Sequence, residues 1–273
     1  MKPGIYSDVD ETEYFANPAL SSTEARWLLD SPARYRYLKD HREPSTAAFD
    51  FGSAVHTRVL GTGWDVVELD FPDWRSKTAQ SVRDEVRSSG RIPMLAKDLA
   101  QVDAMAESVL AHPAARKLFE ADGIAEASVF ATDPVTGVEC KARFDFLGEI
   151  AVDLKTTAGK ANADGFARSV AAYRYDVQAM HYLDTLAFAE EEVREFQYVV
   201  VEKDPPYLVG VFRLTDHFME IGSDAAAEAR RIYAECTATN TWPGYPEDVQ
   251  LVAPPAWLVY QYEEQHEVEI EIA

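Results

Sequence analysis

The most regular alternation of apolar and polar positions lies in the middle of the chain. From Val138 to Leu147, Cys140, Ala142, Phe144 and Phe146 alternate with Glu139, Lys141, Arg143 and Asp145, the period of two expected of a strand with one face in a core. Ahead of it Ser128 to Thr132 is short and β-prone, and Asp133-Pro134-Val135-Thr136-Gly137 supplies the proline and glycine that close a hairpin. Behind it Gly148-Glu149 makes a turn. Ala151 to Thr156 then reads as a third strand, with Val152 and Leu154 towards the core and Asp153 and Lys155 together on the other face. A helix beginning after Asp164 follows, with Phe166, Val170, Tyr173 and Val177 as its apolar stripe and Gln178 and Tyr182 one turn apart on one face.

Around this core the pattern predicts helices first and more strands later. A capping box at Ser21 to Glu24 opens one helix, Phe51 to Leu60 reads as another, and a third runs from about Ala96 to Ala111, ended by His112-Pro113. Trp64 to Pro93 shows no dominant period. Glu195 to Glu202 and Tyr207 to Leu214 read as strands and Asp216 to about Cys236 as a long helix. The expected fold is α/β, a central mixed β-sheet flanked by helices with a mostly helical N-terminal region. At 273 residues and 47% hydrophobic the chain is sized for one domain, 1–273, divided into a helical part to about 115, a core at about 116–240 and an irregular, proline-rich tail at 241–273.

Chemistry enters with the polar faces. Asp145 and the Asp153-Leu154-Lys155 run set two carboxylates and an ammonium on neighbouring strands, with Glu126 just upstream. Cleaving a phosphodiester requires that the charge gathering on a phosphorane-like transition state be neutralised and that a water become nucleophilic near pH 7. Hard divalent cations held by carboxylates do both. Crowded carboxylates repel one another, so such a cluster is stable chiefly with a cation in it. The compact lysine ammonium can hold the attacking water or sit against a phosphate oxygen.

Alone, Asp-x-Lys on a strand is commonly an accident. The joint order of Asp145, an eight-residue hairpin, Asp153-x-Lys155 and a helix bearing Gln178 and Tyr182 is far rarer. It resembles the RecE (exonuclease VIII) type of phage recombination exonuclease, in the RecB-like branch of the PD-(D/E)XK nucleases. The resemblance begins near Leu20-Ser-Ser-Thr-Glu24 and Ser31-Pro-Ala-Arg-Tyr35, passes through Phe51-Gly-Ser-Ala-Val-His56 and Glu126 to Tyr182, and reaches Thr241-Trp-Pro243. It implies a PD-(D/E)XK restriction-endonuclease-like core in which Glu126, Asp145 and Asp153 are acidic metal-site residues, Lys155 is the catalytic lysine and Leu154 adds its backbone carbonyl. His56, in its Gly-x-x-x-His motif, becomes a metal or phosphate contact. Gln178 and Tyr182 line the DNA groove or support the lysine.

The net charge of −21 runs against DNA binding, which usually draws on excess Lys and Arg. Local sign matters more. Asp8 to Glu13, Glu190 to Glu195 and Glu263 to Glu271 read as solvated acidic surface. Lys141, Arg143, Lys160, Arg168 and Arg174 flank the expected site, with Arg34, Arg36 and Lys39 grouped earlier. Such cations can line a channel whose outside is acidic, as in a closed ring of subunits. Cys140 and Cys236 are too few for a four-thiolate iron–sulfur cluster, so none is expected. No apolar run reaches the length of a membrane span and no hydrophobic leader follows Met1, which predicts a cytoplasmic protein.

By resemblance the expected activity is Mg²⁺-dependent, with Mn²⁺ able to substitute, on the ends of linear double-stranded DNA. The 5′-ended strand would be digested, leaving a 3′ single-stranded tail for a RecT-like annealing protein. The resemblance also implies a ring-shaped homo-oligomer, a tetramer, and a phage or prophage origin in a bacterial host. An endonuclease of the same fold, and a DNA-binding protein that has lost the reaction, are the alternatives.

Overall fold

In the computed structural model, residues 1–41, 47–192 and 194–271 are described, and the side chains of 47–49 and 266–271 are not among them. The described chain forms two compact units, Met1–Trp242 and Pro243–Ala273.

The first unit is built on a six-stranded sheet. In chain order its elements are β1 (Gly4–Tyr6), α1 (Glu11–Ala16), α2 (Ser22–Asp30), α3 (Pro32–Asp40), α4 (Ala47–Leu60), β2 (Val66–Leu69), α5 (Lys77–Ser88), β3 (Ile92–Leu95), α6 (Ala96–Ala111), α7 (Pro113–Phe119), β4 (Gly123–Thr132), β5 (Glu139–Gly148), β6 (Ile150–Thr157), α8 (Ala163–Tyr173), α9 (Tyr175–Phe188), β7 (Glu195–Glu202), β8 (Val209–Phe212) and α10 (Asp216–Thr239). The strand order is β1-β4-β5-β6-β7-β8, and β2 and β3 form a separate parallel pair. All neighbours in the large sheet are antiparallel except β6 and β7, whose parallel pairing requires the long crossover that α8 and α9 provide.

Local chemistry accounts for the boundaries. Ser21 and Glu24 close the expected capping box on α2, and Asn162 caps α8 through Gly165 N. Asp133 organises the β4–β5 turn by accepting from Val135 N at 2.8 Å and from the Thr136 hydroxyl at 2.8 Å, while Gly137 takes φ 73°. The crossover is two helices, not the single helix expected, because Arg174 adopts φ 53°, ψ 50° and breaks the run. Trp64 to Pro93 resolves into β2, α5 and β3; each strand is only four residues long, too short to show a period.

Helices cover both faces of the sheet. On one, α9 packs over Ala127, Val129, Phe144, Phe196 and Tyr198. On the other, α4, α6 and α7 pack over Phe146, Val152, Leu154, Val199 and Val201. Gly222, Ala226 and Ala229 keep α10 thin where it meets α9; a Cβ at Gly222 would lie 2.4 Å from Asp176 O. Phe144 and Phe146, expected to share a face, belong to opposite cores. The alternation breaks at Asp145, directly opposite Glu126, which has φ 53°.

His181, on α9, is fully buried. Its Nε2 lies 3.1 Å from Leu20 O and 3.2 Å from Lys141 O, both acceptors, so Nε2 carries the hydrogen and Nδ1 is bare. Burial, reinforced by Arg230 and only partly opposed by Glu24 and the two carbonyls, depresses its pKa to about 4. A depressed pKa contributes stability that is whole above the unfolded value of about 6.5 and is lost as pH falls through about 4. Roughly 3 kcal/mol is at stake. Unfolding free energies measured between pH 7 and 4 should therefore fall less steeply in His181→Asn than in the wild type; parallel profiles would refute this.

The second unit, expected to be irregular, contains the helix α11 (Ala256–Glu271). Pro254-Pro255 precedes it, Leu258 N donates to Pro255 O at 2.9 Å, and nothing from Ala256 onward is Gly or Pro, so the helix has a start and no breaker. The expected solvated run at Glu263 to Glu271 lies, beyond Gln265, outside the described side chains.

Candidate active site

The site forms where the sheet splits. β5 and β6 pair only through Phe146↔Val152 and Leu147↔Ala151, then diverge, leaving Asp145 and Asp153 facing each other across the opening. Asp145 Oδ2 bridges the gap, accepting from Leu154 N at 2.6 Å. Asp153, 2% exposed, has one oxygen 2.5 Å from Lys155 Nζ and the other 2.5 Å from Gln178 Nε2. Lys155 Nζ also lies 4.9 Å over the Tyr175 ring.

From the opposite layer α4 brings His56, whose Nδ1 is 3.4 Å from Asp145 Oδ2. One turn earlier Gly52 faces the Thr156 hydroxyl on β6, which places the glycine of the Gly-x-x-x-His motif where helix and strand meet. Ligand atoms of His56, Glu126 and Asp145 all lie within 4.8 Å of one another. An ion about 2.0–2.6 Å from each oxygen spans such a group, and the nitrogen and carboxylate donors suit a divalent cation. The residues therefore fit a divalent metal. Asp153 stands beside this trio, engaged with Lys155 and Gln178.

The charges are strongly coupled. Burial opposes protonation of His56, but the Asp145 and Asp153 carboxylates outweigh it and push its pKa up to about 9. Burial likewise raises Asp145, yet His56, Lys155 and the Leu154 N–H hold it below the ordinary carboxylate range. Glu126 is pushed up to about 7 by burial and by Asp145. Lys155 is half-buried, which opposes its charge, but Asp153 and Asp145 raise its pKa, so it remains an ammonium. A bound cation would replace the proton that this acidic pocket otherwise retains. At about a hundred times its Kd, Mg²⁺ or Mn²⁺ is expected to stabilise the fold by about 2.7 kcal/mol, seen as a higher melting temperature. An unchanged transition at millimolar metal would contradict a working site.

Most of the expected residues converge here, and a few have other duties. Gln178 holds Asp153. Tyr182 is buried against Phe144, ring centroids 4.9 Å apart, with burial and Asp153 pushing its hydroxyl up to about 12. Leu154 contributes its N–H to Asp145 and a fully buried side chain. Lys141, expected to contact DNA, is only 2% exposed: Nζ donates to Tyr14 O at 2.8 Å and Asn17 O at 2.7 Å, capping α1. The pleat does put it on the face of Asp145, but α1 covers that face. Arg143 also ties down the N-terminal segment, through Val9 O at 2.5 Å, Ser128 Oγ at 2.9 Å and the Tyr14 ring. Arg174 is partly exposed and paired with Asp176, and Lys160 and Arg168 are exposed.

Glu11 was not anticipated. It lies in the acidic run expected to be solvated, yet its Oε2 is buried without a hydrogen-bond partner among the described residues. Burial and the nearby Glu126 push its pKa up to about 8. No local pattern separates it from Asp8, Asp10 and Glu13; only the return of α1 onto the sheet does.

Two aspartates and a lysine at the mouth of a split sheet, with a glutamate and a helix-borne histidine beside them, define the class: the PD-(D/E)XK nuclease fold. The chain belongs to the PDDEXK-like domain family of unknown function DUF3799, which it matches over residues 21–254. No curated protein matches it. Among solved structures it is similar to a candidate exonuclease from Eubacterium rectale, at 14% identity over 93% of this chain and 98% of that one, with a TM-score of 0.60. A phage-related exonuclease from Haemophilus somnus 129PT aligns at 8% identity over 82% of this chain and 96% of that one, with a TM-score of 0.36. No helix among the described residues is long and apolar enough to cross a membrane.

Proposed function

We propose that this chain is a divalent-metal-dependent DNA nuclease acting on the ends of linear duplexes, of the RecE type. The observation that carries the reading is the split between β5 and β6, which presents Asp145, Asp153 and Lys155 at one opening beneath His56 and Glu126. His56, Glu126 and Asp145 would hold the ion, with the Leu154 carbonyl as a further ligand by resemblance. When bound, the ion supplies positive charge against the developing phosphorane and makes a water nucleophilic near pH 7.

The remaining residues act directly. Lys155 keeps its proton, which favours a donor that orients the attacking water or neutralises a phosphate oxygen over a general base. Asp153 and Tyr175 restrict where that ammonium can point, and Gln178 fixes Asp153 in turn. Preference for the 5′-ended strand, a 3′ tail handed to a RecT-like annealing protein, and a ring-shaped tetramer with a cationic lumen complete the proposal; these rest on the resemblance.

The test is digestion of a linear duplex labelled separately at its 5′ and 3′ ends, beside a covalently closed circle, with Mg²⁺ and with chelator. Metal-dependent loss of the 5′-ended strand from the linear substrate alone, abolished in Lys155→Ala, is the expected result. Cutting of the circle would make the chain an endonuclease. No cleavage of either would leave a binding protein.

A further inference from the structure

Tyr173, at the last position of α8, is 60% exposed, yet both its ring and its backbone have partners. Its ring stacks on Tyr175, centroids 5.6 Å apart and planes 28° apart. Tyr175 in turn lies near-parallel to Phe166, 6.2 Å away, and Phe166 to Phe212, 4.8 Å away. A ladder of rings thus runs from solvent into the core. The backbone beneath Tyr173 is fixed from two sides. Arg26 Nη1 donates to its carbonyl at 2.8 Å, and the next residue, Arg174, is locked in the left-handed region with its guanidinium on Asp176 at 2.9 and 3.0 Å. That conformation is unfavourable for a non-glycine residue and persists only where the surroundings impose it.

Position gives the ladder its meaning. Tyr175, the second rung, carries Lys155 Nζ over its face, and Lys155 touches Asp153. The exposed rung is therefore one ring away from the catalytic ammonium. It stands outside the core cluster that holds Phe166 and packs Tyr175, and Tyr173 has no other ring contact among the described residues. An aromatic ring that is largely open to solvent and backed on one side by Tyr175 offers a surface on which a nucleobase of a single strand stacks. Within a duplex both faces of each base are occupied by neighbouring bases, so the fitting ligand is an unpaired one.

Building on the nuclease reading above, we propose that Tyr173 forms a base-stacking subsite that receives an unpaired nucleobase of the substrate strand next to the scissile phosphate. The full chain is compared as Lys155→Ala, Lys155→Ala/Tyr173→Ala and Lys155→Ala/Tyr173→Phe, so that substrate survives in Mg²⁺. The probe is a duplex with a short single-stranded end carrying 2-aminopurine. Its fluorescence should be quenched on binding to the first and third proteins but not to the second. Affinity for the frayed end should fall roughly 5- to 150-fold in the second protein alone, the range for losing one stacked base, with little change on a blunt duplex. Equal quenching and affinity in all three, or equal loss with phenylalanine and alanine, would overturn the proposal. Failure of the wild-type chain to cleave DNA at all would remove the nuclease reading itself; cleavage with Tyr173→Ala behaving as wild type would remove only this subsite.

Discussion

Asp145→Asn is expected to lower DNA cleavage by on the order of a thousandfold while leaving the fold intact. Asp145 does three things at once. It lies with His56 and Glu126 in the group that would hold the proposed metal, it pairs with His56 at 3.4 Å, and it accepts the Leu154 N–H at 2.6 Å across the split between β5 and β6. Asparagine has the same size and retains an acceptor for Leu154, so the junction should persist. What disappears is the charge. A divalent cation then meets one fewer anionic ligand, and titration calorimetry should show weakened Mg²⁺ and Mn²⁺ binding alongside the lost cleavage. A variant that cleaves and binds metal like the wild type would show that the reaction centre lies elsewhere. A variant that binds metal normally yet fails to cleave would move Asp145 from ligand to positioning residue.

Arg230→Met should destabilise the first unit by roughly 3–5 kcal/mol, the cost of leaving buried charges uncompensated. Arg230, 5% exposed on α10, reaches Asp133 in the β4–β5 turn at 2.9 Å and Asp184 on α9 at 2.9 Å, and its guanidinium lies 5.1 Å from the Phe188 ring centre. It is the cation that neutralises the carboxylate around which the hairpin turn is built. Methionine fills much of the same volume, so the loss should reflect charge more than cavity. Urea or thermal unfolding would measure it, with a drop of roughly 10 °C for a unit of this size. Adding Asp133→Asn should recover part of the loss, since the orphaned anion goes too. An effect below about 1 kcal/mol would mean that water reaches the three groups and screens them.

The legible part of this protein was the part whose signals are local. Period-two alternation located β5 and β6, the Ser21–Glu24 box located the start of α2, His112-Pro113 located the end of α6, and the spacing of Gln178 and Tyr182 placed both on one helix. Lys141 and Glu11 show where this stops. Sequence neighbours make Lys141 a DNA-facing cation and Glu11 part of a solvated acidic run, and each is turned inward where α1 meets the sheet, from more than a hundred residues away. The break in alternation at Asp145 is equally invisible locally, because it depends on Glu126 adopting a left-handed conformation on the neighbouring strand.

The order of Glu126, Asp145, Asp153 and Lys155, and the strands and helix that carry them, were thus determined by sequence alone, because pleat and helical period act over two to four residues. Tertiary structure decided that Asp145 and Asp153 meet at a split in the sheet, that His56 arrives from the far layer, that Lys155 rests against Tyr175, and which cations face outward. Those facts depend on which surfaces become buried against which, and burial is a property of the whole packed chain.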